Sequence, residues 1–178
     1  RNQARGFNDM ALFEVGPAFH GGEPQEQHLQ VAGRLIGRTC AKDVHGASRL
    51  VDLYDAKAGA EALLGAMGAP VKVQVLRDGA AWWHSGRHGR ICLGPKKILG
   101  VFGELHPKVL QGLDVKGPAV AFTLWPEVIP MPRNASSTRP ALTFRDLQAV
   151  ERDFAFVVDA EVEALTVINA VGLADKGL

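Results

Sequence analysis

The sequence predicts an α+β fold in which helices pack on an antiparallel sheet. Two observations carry that prediction. The elements run strand, strand, helix and then mostly strands, without the regular strand–helix alternation of a doubly wound parallel sheet. The best helical stripe, Asp52–Met67, lies early and is followed by four strand-like runs. As to chemistry, the Gly-rich phosphate motifs GxxxxGK(S/T) and GxGxxG are absent.

Ala11–Phe19 is apolar enough for a buried strand and is broken by GPAFHGGEP. In Leu29–Gly37 the residues alternate, with Leu29, Val31 and Leu35 on one face and Gln30 and Arg34 on the other. The connection Gly21–Gln27 is rich in Gly, Pro, Gln and Glu, so the pair reads as an antiparallel hairpin with a long loop. The helix follows. Asp52 caps it, Asp55 complements the dipole in its first turn, and Gly68 ends it in a left-handed conformation. Leu53, Ala56, Ala60, Leu63, Leu64 and Met67 form its apolar stripe, read as ordinary core packing. Strands are expected at Val71–Leu76, Arg90–Leu93, Ile98–Phe102 and Ala119–Leu124, with a short helix from Pro107 to about Leu113.

Four prolines between Pro126 and Pro140, with the polar run Arg133–Arg139, mark a linker. Beyond it ERDFAFVVD suggests a strand at Phe154–Val158, and Val162–Val171 a helix. Those two elements are too few to bury a core of their own. The expected organisation is therefore a first domain over 1–130, incomplete at its N-terminus, a linker over 131–147 and a truncated second domain over 148–178. The chain begins at Arg1 rather than Met and ends at ADKGL, and it reads as a piece of a longer polypeptide.

Composition narrows the function classes. With 47% apolar and 22% charged residues in a chain of 178, disorder is excluded. Twenty Lys and Arg against 19 Asp and Glu leave a formal charge of +1, so electrostatics makes no case for a nucleic-acid module. No run of about 18 apolar residues spans a membrane, and RNQARGFNDM lacks the apolar core of a signal peptide. Cys40 and Cys92 lie far apart without CxxC spacing and read as buried thiols in a reducing cytoplasm.

WWHSGRHGRICLG places His84, His88 and Cys92 four apart, the spacing of three ligands on a helix. Gly86 and Gly89 interrupt any helix there and no fourth ligand is near, so the segment reads as a turn entering a strand rather than a zinc site. Cys92 between Ile91 and Leu93 reads as an inert strand thiol rather than a nucleophile served by His84 or His88. Asp52 with Asp55, and Glu161 with Glu163, read as caps or solvated charges. No GxSxG elbow occurs.

In this order, LFEVGPAFH, DLYDAKAGAEALLGAMG, HSGRHGRICLG and ILGVFGELHP resemble the later part of the bacterial phenylalanine–tRNA ligase beta subunit. The family's LFEIG-type strand, DxxDxKG helix start, HPGR turn and GELHP turn align with Leu12–Gly16, Asp52–Gly59, His84–Arg87 and Gly103–Pro107. LQAVERDFAFVVD resembles the opening of that subunit's anticodon-binding domain, with Arg152 and Asp153 matching its RD pair. Ser85, His88, Leu147 and Gln148 depart from the usual residues at their positions.

The resemblance implies a class II aminoacyl-tRNA synthetase-like sheet without catalytic function, followed by the start of a ferredoxin-like domain. A working class II site holds a nucleotide phosphate with the Arg of an FRxE-type motif, because a guanidinium offers a fixed bidentate fork. His20 occupies that Arg position and Gly22 the Glu position, and no GxGxGxxR follows. Largely neutral imidazole is no substitute for a permanent bidentate cation. No catalytic, cofactor or metal residue is therefore assigned to this segment. ATP and magnesium belong to the whole enzyme, as do the tRNA for phenylalanine and a small catalytic (alpha) subunit in a two-plus-two heterotetramer. Neither membrane nor DNA is expected as a partner. The signature residues have structural roles in this reading: Gly86 and Gly103 permit tight turns, Arg87 and Glu104 tie them to neighbours, and His84, His106 and Pro107 shape them. Two alternatives are an independent class II-like adenylating enzyme, which needs a phosphate-holding Arg and a metal carboxylate, and an α+β interaction domain unrelated to translation.

Overall fold

A computed structural model describes residues 2–41, 43–70, 73–130, 141–142, 148 and 150–174. The chain divides into two compact units, Arg1–Ala135 and Ser136–Leu178. In the first, strands β1 (Met10–Phe19), β2 (Gln27–Ile36), β3 (Gln74–Leu76), β4 (Trp83–Leu93), β5 (Lys97–Leu105) and β6 (Ala119–Leu124) form one sheet. The order across it is β1-β2-β6-β5-β4-β3, and every neighbouring pair is antiparallel. Helices α1 (Leu53–Ala66) and α2 (Pro107–Gly112) complete the unit. The sheet with its flanking helices is the fold the sequence predicts.

Period-two alternation directs Val31, Gly33 and Leu35 of β2 to the same face as Val120, Phe122 and Leu124 of β6, through the pairs Val31–Leu124, Gly33–Phe122 and Leu35–Val120. Helix α1 lies against β2, β5 and β6. It contributes the buried Ala56, Ala60 and Leu64 to a core shared with Val51, Ile91, Leu99, Phe102, Val120 and Leu124. Small residues on the helix let it approach closely. A methyl group on Gly59 would come within 2.9 Å of the Phe122 ring, which also abuts Gly33.

The start of α1 is fixed by charge as well as packing. Asp52 Oδ1 accepts from the Tyr54 N–H at 2.8 Å, and Asp55 Oδ2 accepts from the Asp52 N–H at 2.8 Å, a reciprocal capping box. Arg49 then grips Asp55 with two hydrogen bonds of 2.7 Å. Gly68, with φ 71°, follows the helix in the left-handed conformation expected for its end.

Three expectations need correction. The strand predicted at Arg90–Leu93 begins at Trp83, and the one predicted at Ile98–Phe102 continues to Leu105. Extended pairing therefore runs through HSGRHG, and the surplus residues are taken up by a bulge rather than a turn. The five steps from Trp83 to His88 on β4 face two, Leu105 to Gly103, on β5. Cys40 is exposed and only Cys92 is buried. The strand expected at Phe154–Val158 has no ladder partner among the described residues and does not form there. In that second unit a helix, α3 (Ala164–Ala174), does form close to the predicted span. Of the strand predicted from Val71, residues 71 and 72 lie outside the described residues; β3 covers the rest from Gln74.

Candidate functional site

The signature residues from His84 to Pro107 converge on one framework built from the β4 bulge, the end of β5 and the start of α2. In the bulge, His84 Nδ1 accepts from the Gly86 N–H at 3.2 Å, and His88 Nδ1 lies 2.7 Å from the His84 carbonyl, to which it donates. These local bonds replace the ladder bonds that the bulge forfeits. Arg87 Nη1 reaches across to Glu104 Oε2 at 2.8 Å, so the two residues expected to tie separate turns tie β4 to β5 directly. Arg87 is exposed while Glu104 is largely covered. At the end of β5, the His106 N–H donates to the Trp82 carbonyl at 2.8 Å. His106 is also the N-cap of α2, its Nδ1 accepting from the Lys108 N–H at 3.1 Å, with Pro107 at the first helical position.

The glycines work differently from the sequence reading. Gly103 makes no turn: it sits within β5, where a Cβ would meet the His88 Cβ at 2.7 Å, the Trp83 ring at 2.8 Å and the Arg87 carbonyl at 3.0 Å. Its role is close approach between strands, with Trp83 buried beside it. Gly86 has neither a positive φ nor a neighbour within 4 Å of an added Cβ, so nothing in the structure requires glycine there.

Among the described residues His84, His88 and Cys92 do not gather into a group that could hold a metal ion. Cys92 is 1% exposed and burial pushes its thiol above the ordinary range, an effect that Arg90 opposes and Asp78 reinforces. Asp78 is held by Arg90 in a forked ion pair. This pair links the loop after β3 to β4, and the sequence reading missed it because the partners are twelve residues apart and share no motif. Arg49 was missed for a similar reason, although Asp52 and Asp55 were both visible as caps.

The β1–β2 hairpin forms the other candidate region. Its tip closes through the His20 N–H donating to the Glu26 carbonyl at 2.9 Å, and Glu26 in turn accepts from the Glu23 N–H at 2.9 Å. His20 is stacked on His28 with ring centroids 4.1 Å apart and planes 12° apart. His28 Nε2 accepts from the Gln30 amide at 2.7 Å, while its Nδ1 is buried without a partner among the described residues. Along β1, the residues in register with the core side of β2 are apolar and uncovered. Phe13, opposite Gly33, is 82% exposed; Val15, opposite Val31, is 57% exposed. Phe19 and Leu29 extend this uncovered face. In the second unit, Arg152 and Asp153 are exposed, and Arg152 Nη1 donates to the Glu151 carbonyl at 3.1 Å.

Residues 1–125 match the sequence family described as the phenylalanyl tRNA synthetase beta chain CLM domain. Over all 178 residues the chain is 75% identical to the phenylalanine–tRNA ligase beta subunit of Ruegeria pomeroyi and 60% identical to that of Cereibacter sphaeroides. Over 180 aligned residues it is 49% identical to that of Rhodospirillum rubrum. It spans 22% of the length of each. A pyrrolysyl tRNA synthetase of Desulfitobacterium hafniense superposes with a TM-score of 0.50 at 13% identity, over 70% of this chain and 42% of that one. At that identity the likeness concerns the fold alone, and it joins this sheet to a synthetase's.

Proposed function

The chain belongs to the phenylalanyl tRNA synthetase beta chain family, and on that premise we propose that it is a non-catalytic assembly region of a phenylalanine–tRNA ligase beta subunit. It packs against the small catalytic subunit in a two-plus-two heterotetramer in the cytoplasm. That heterotetramer attaches phenylalanine to its tRNA at the expense of ATP, with magnesium. The second unit opens a ferredoxin-like anticodon-binding domain through Arg152 and Asp153.

The β1–β2 hairpin carries this reading. In a working site of this fold the hairpin presents a guanidinium to a nucleotide phosphate. Here that position holds His20, which is stacked on a second imidazole. The donors present do not fit a polyphosphate, so the chain's own residues are given no catalytic step. The same hairpin leaves Phe13, Val15, Phe19 and Leu29 uncovered, and an apolar strip of that kind suits a subunit interface better than a solvent face. Among the described residues no helix is long and apolar enough to cross a membrane.

ATP–pyrophosphate exchange tests the catalytic half of the proposal. The chain alone should show no phenylalanine-dependent exchange, and the small catalytic subunit together with its full beta subunit should show it. Exchange by the chain alone would overturn the reading in favour of an independent adenylating enzyme.

A further inference from the structure

One side chain fastens the segment before β1 to the far end of the first unit. The Gln3 amide spans both backbone groups of Lys116: its Nε2 donates to the Lys116 carbonyl at 2.8 Å, and its Oε1 accepts from the Lys116 N–H at 2.9 Å. The partners are 113 residues apart in sequence. We propose that residues 2–7 form a strap that swings away from the sheet as one body, with Gln3 as its latch and the Phe7–Asn8 junction as its pivot. The proposal stands apart from the assembly reading. The strap borders Met10 and Leu12, which alternate onto the face of β1 opposite Phe13 and Val15.

Three features of the segment make it a strap. First, it is closed on itself. The Arg5 and Phe7 N–H groups donate to the Asn2 carbonyl at 2.9 and 3.1 Å, and the Gly6 N–H donates to the Gln3 carbonyl at 3.0 Å. Gly6, at φ 90°, supplies the left-handed residue that this turn needs. All these bonds lie within the strap, so swinging breaks none of them. Second, the chain is fixed immediately beyond it. Asp9 Oδ1 accepts from the Arg38 N–H at 2.8 Å, and the Asn8 carbonyl and Asp9 press against Gly37, where a Cβ has no room.

Third, little besides the latch holds the strap down. None of its residues is buried: Gln3 is half-buried and Asn2, Ala4, Arg5, Gly6 and Phe7 are exposed. The Asn2 amide reaches the Met10 sulfur at 3.7 Å, but a thioether is a weak acceptor. Exposed hydrogen bonds and few buried contacts are the conditions for local opening. Between strap and sheet lies a cavity of about 290 Å³, bounded by Asn2 and Gln3, by Met10, Leu12, Arg34 and Ile36, and by residues 113–115 after α2. Ile36 is 4% exposed with the strap in place. The latch therefore gates the access of solvent, or of a second molecule, to this apolar surface.

Nuclear magnetic resonance of the ¹⁵N-labelled full chain tests the device in the parent, in Gln3→Ala and in Lys116→Ala. In Gln3→Ala the backbone order parameters of residues 3–7 should fall together, from about 0.85 to below about 0.6. The Lys116 amide should exchange with solvent about tenfold faster or more, having lost its acceptor. A soluble gadolinium chelate should broaden the Met10 and Ile36 methyl resonances more than in the parent and leave those of Leu64 in the core unchanged. Lys116→Ala should match the parent in order parameters and methyl broadening, because Gln3 grips backbone and not the lysine side chain. The Arg38 amide, held by Asp9, should keep its exchange rate in Gln3→Ala. The proposal falls if Gln3→Ala leaves residues 3–7 as ordered as in the parent, or if the Met10 and Ile36 methyls gain no exposure. It falls equally if the Arg38 amide loses protection with the strap, which would be fraying of the hairpin end, or if Lys116→Ala acts like Gln3→Ala.

Discussion

At Gly103 a single methyl group has no room, because His88, Trp83 and the Arg87 carbonyl already surround the position. Gly103→Ala should destabilise the fold by about 1–3 kcal/mol, the usual cost of overpacking, measured by urea unfolding. Gly86→Ala should fall within about 0.5 kcal/mol of the parent, as surface substitutions do. The sequence reading placed both glycines in turns, since glycine spacing alone does not distinguish a turn from a close strand crossing. It expected Arg87 and Glu104 to tie two turns to their neighbours, and the two side chains instead pair with each other between β4 and β5. The cysteines provide a second test. Cys40 is exposed whereas Cys92 is buried with its thiol pushed up by desolvation, so a thiol reagent should label one cysteine in the native chain and both in urea. The reading of both as buried failed at Cys40 because a lone cysteine in a loop carries no burial signal.

Helix α1 was the most legible element, since its cap, its stripe and its terminating glycine all agree. Removing the cap by Asp52→Ala should cost about 1 kcal/mol. Leu64→Ala, in the packed face beneath, should cost about 2–5 kcal/mol. The capping box also sets a pH dependence. The Arg49 guanidinium hydrogen-bonded to Asp55 holds that carboxyl below its ordinary value, against the opposing effect of burial and with help from the Asp52 N–H. A carboxyl depressed in the folded state stabilises above its unfolded value, about 3.9, and the contribution is lost as pH falls through the folded value. Acid unfolding followed by circular dichroism should show that component in the parent and not in Asp55→Asn. Strand β4 was the least legible element. Two glycines and two histidines in HSGRHG obscure the period, and the bulge that absorbs them depends on β5, a partner distant from any local pattern.

For the whole molecule, the sheet class followed from element order, but strand order did not. The placement of β6 between β2 and β5 is fixed by the core shared with α1, which no local signal reports. Phe154–Val158, without a ladder partner among the described residues, shows the same limit from the other side: a strand-like sequence becomes a strand only when a partner completes the ladder. The uncovered strip on β1 is the feature that the assembly reading depends on. It is tested by the molar mass of the chain mixed with the small catalytic subunit, using size exclusion with light scattering, for the parent and for Phe13→Asp. The account predicts a co-eluting complex for the parent and its loss in a variant whose circular dichroism is unchanged. Two separate peaks for the parent would contradict it.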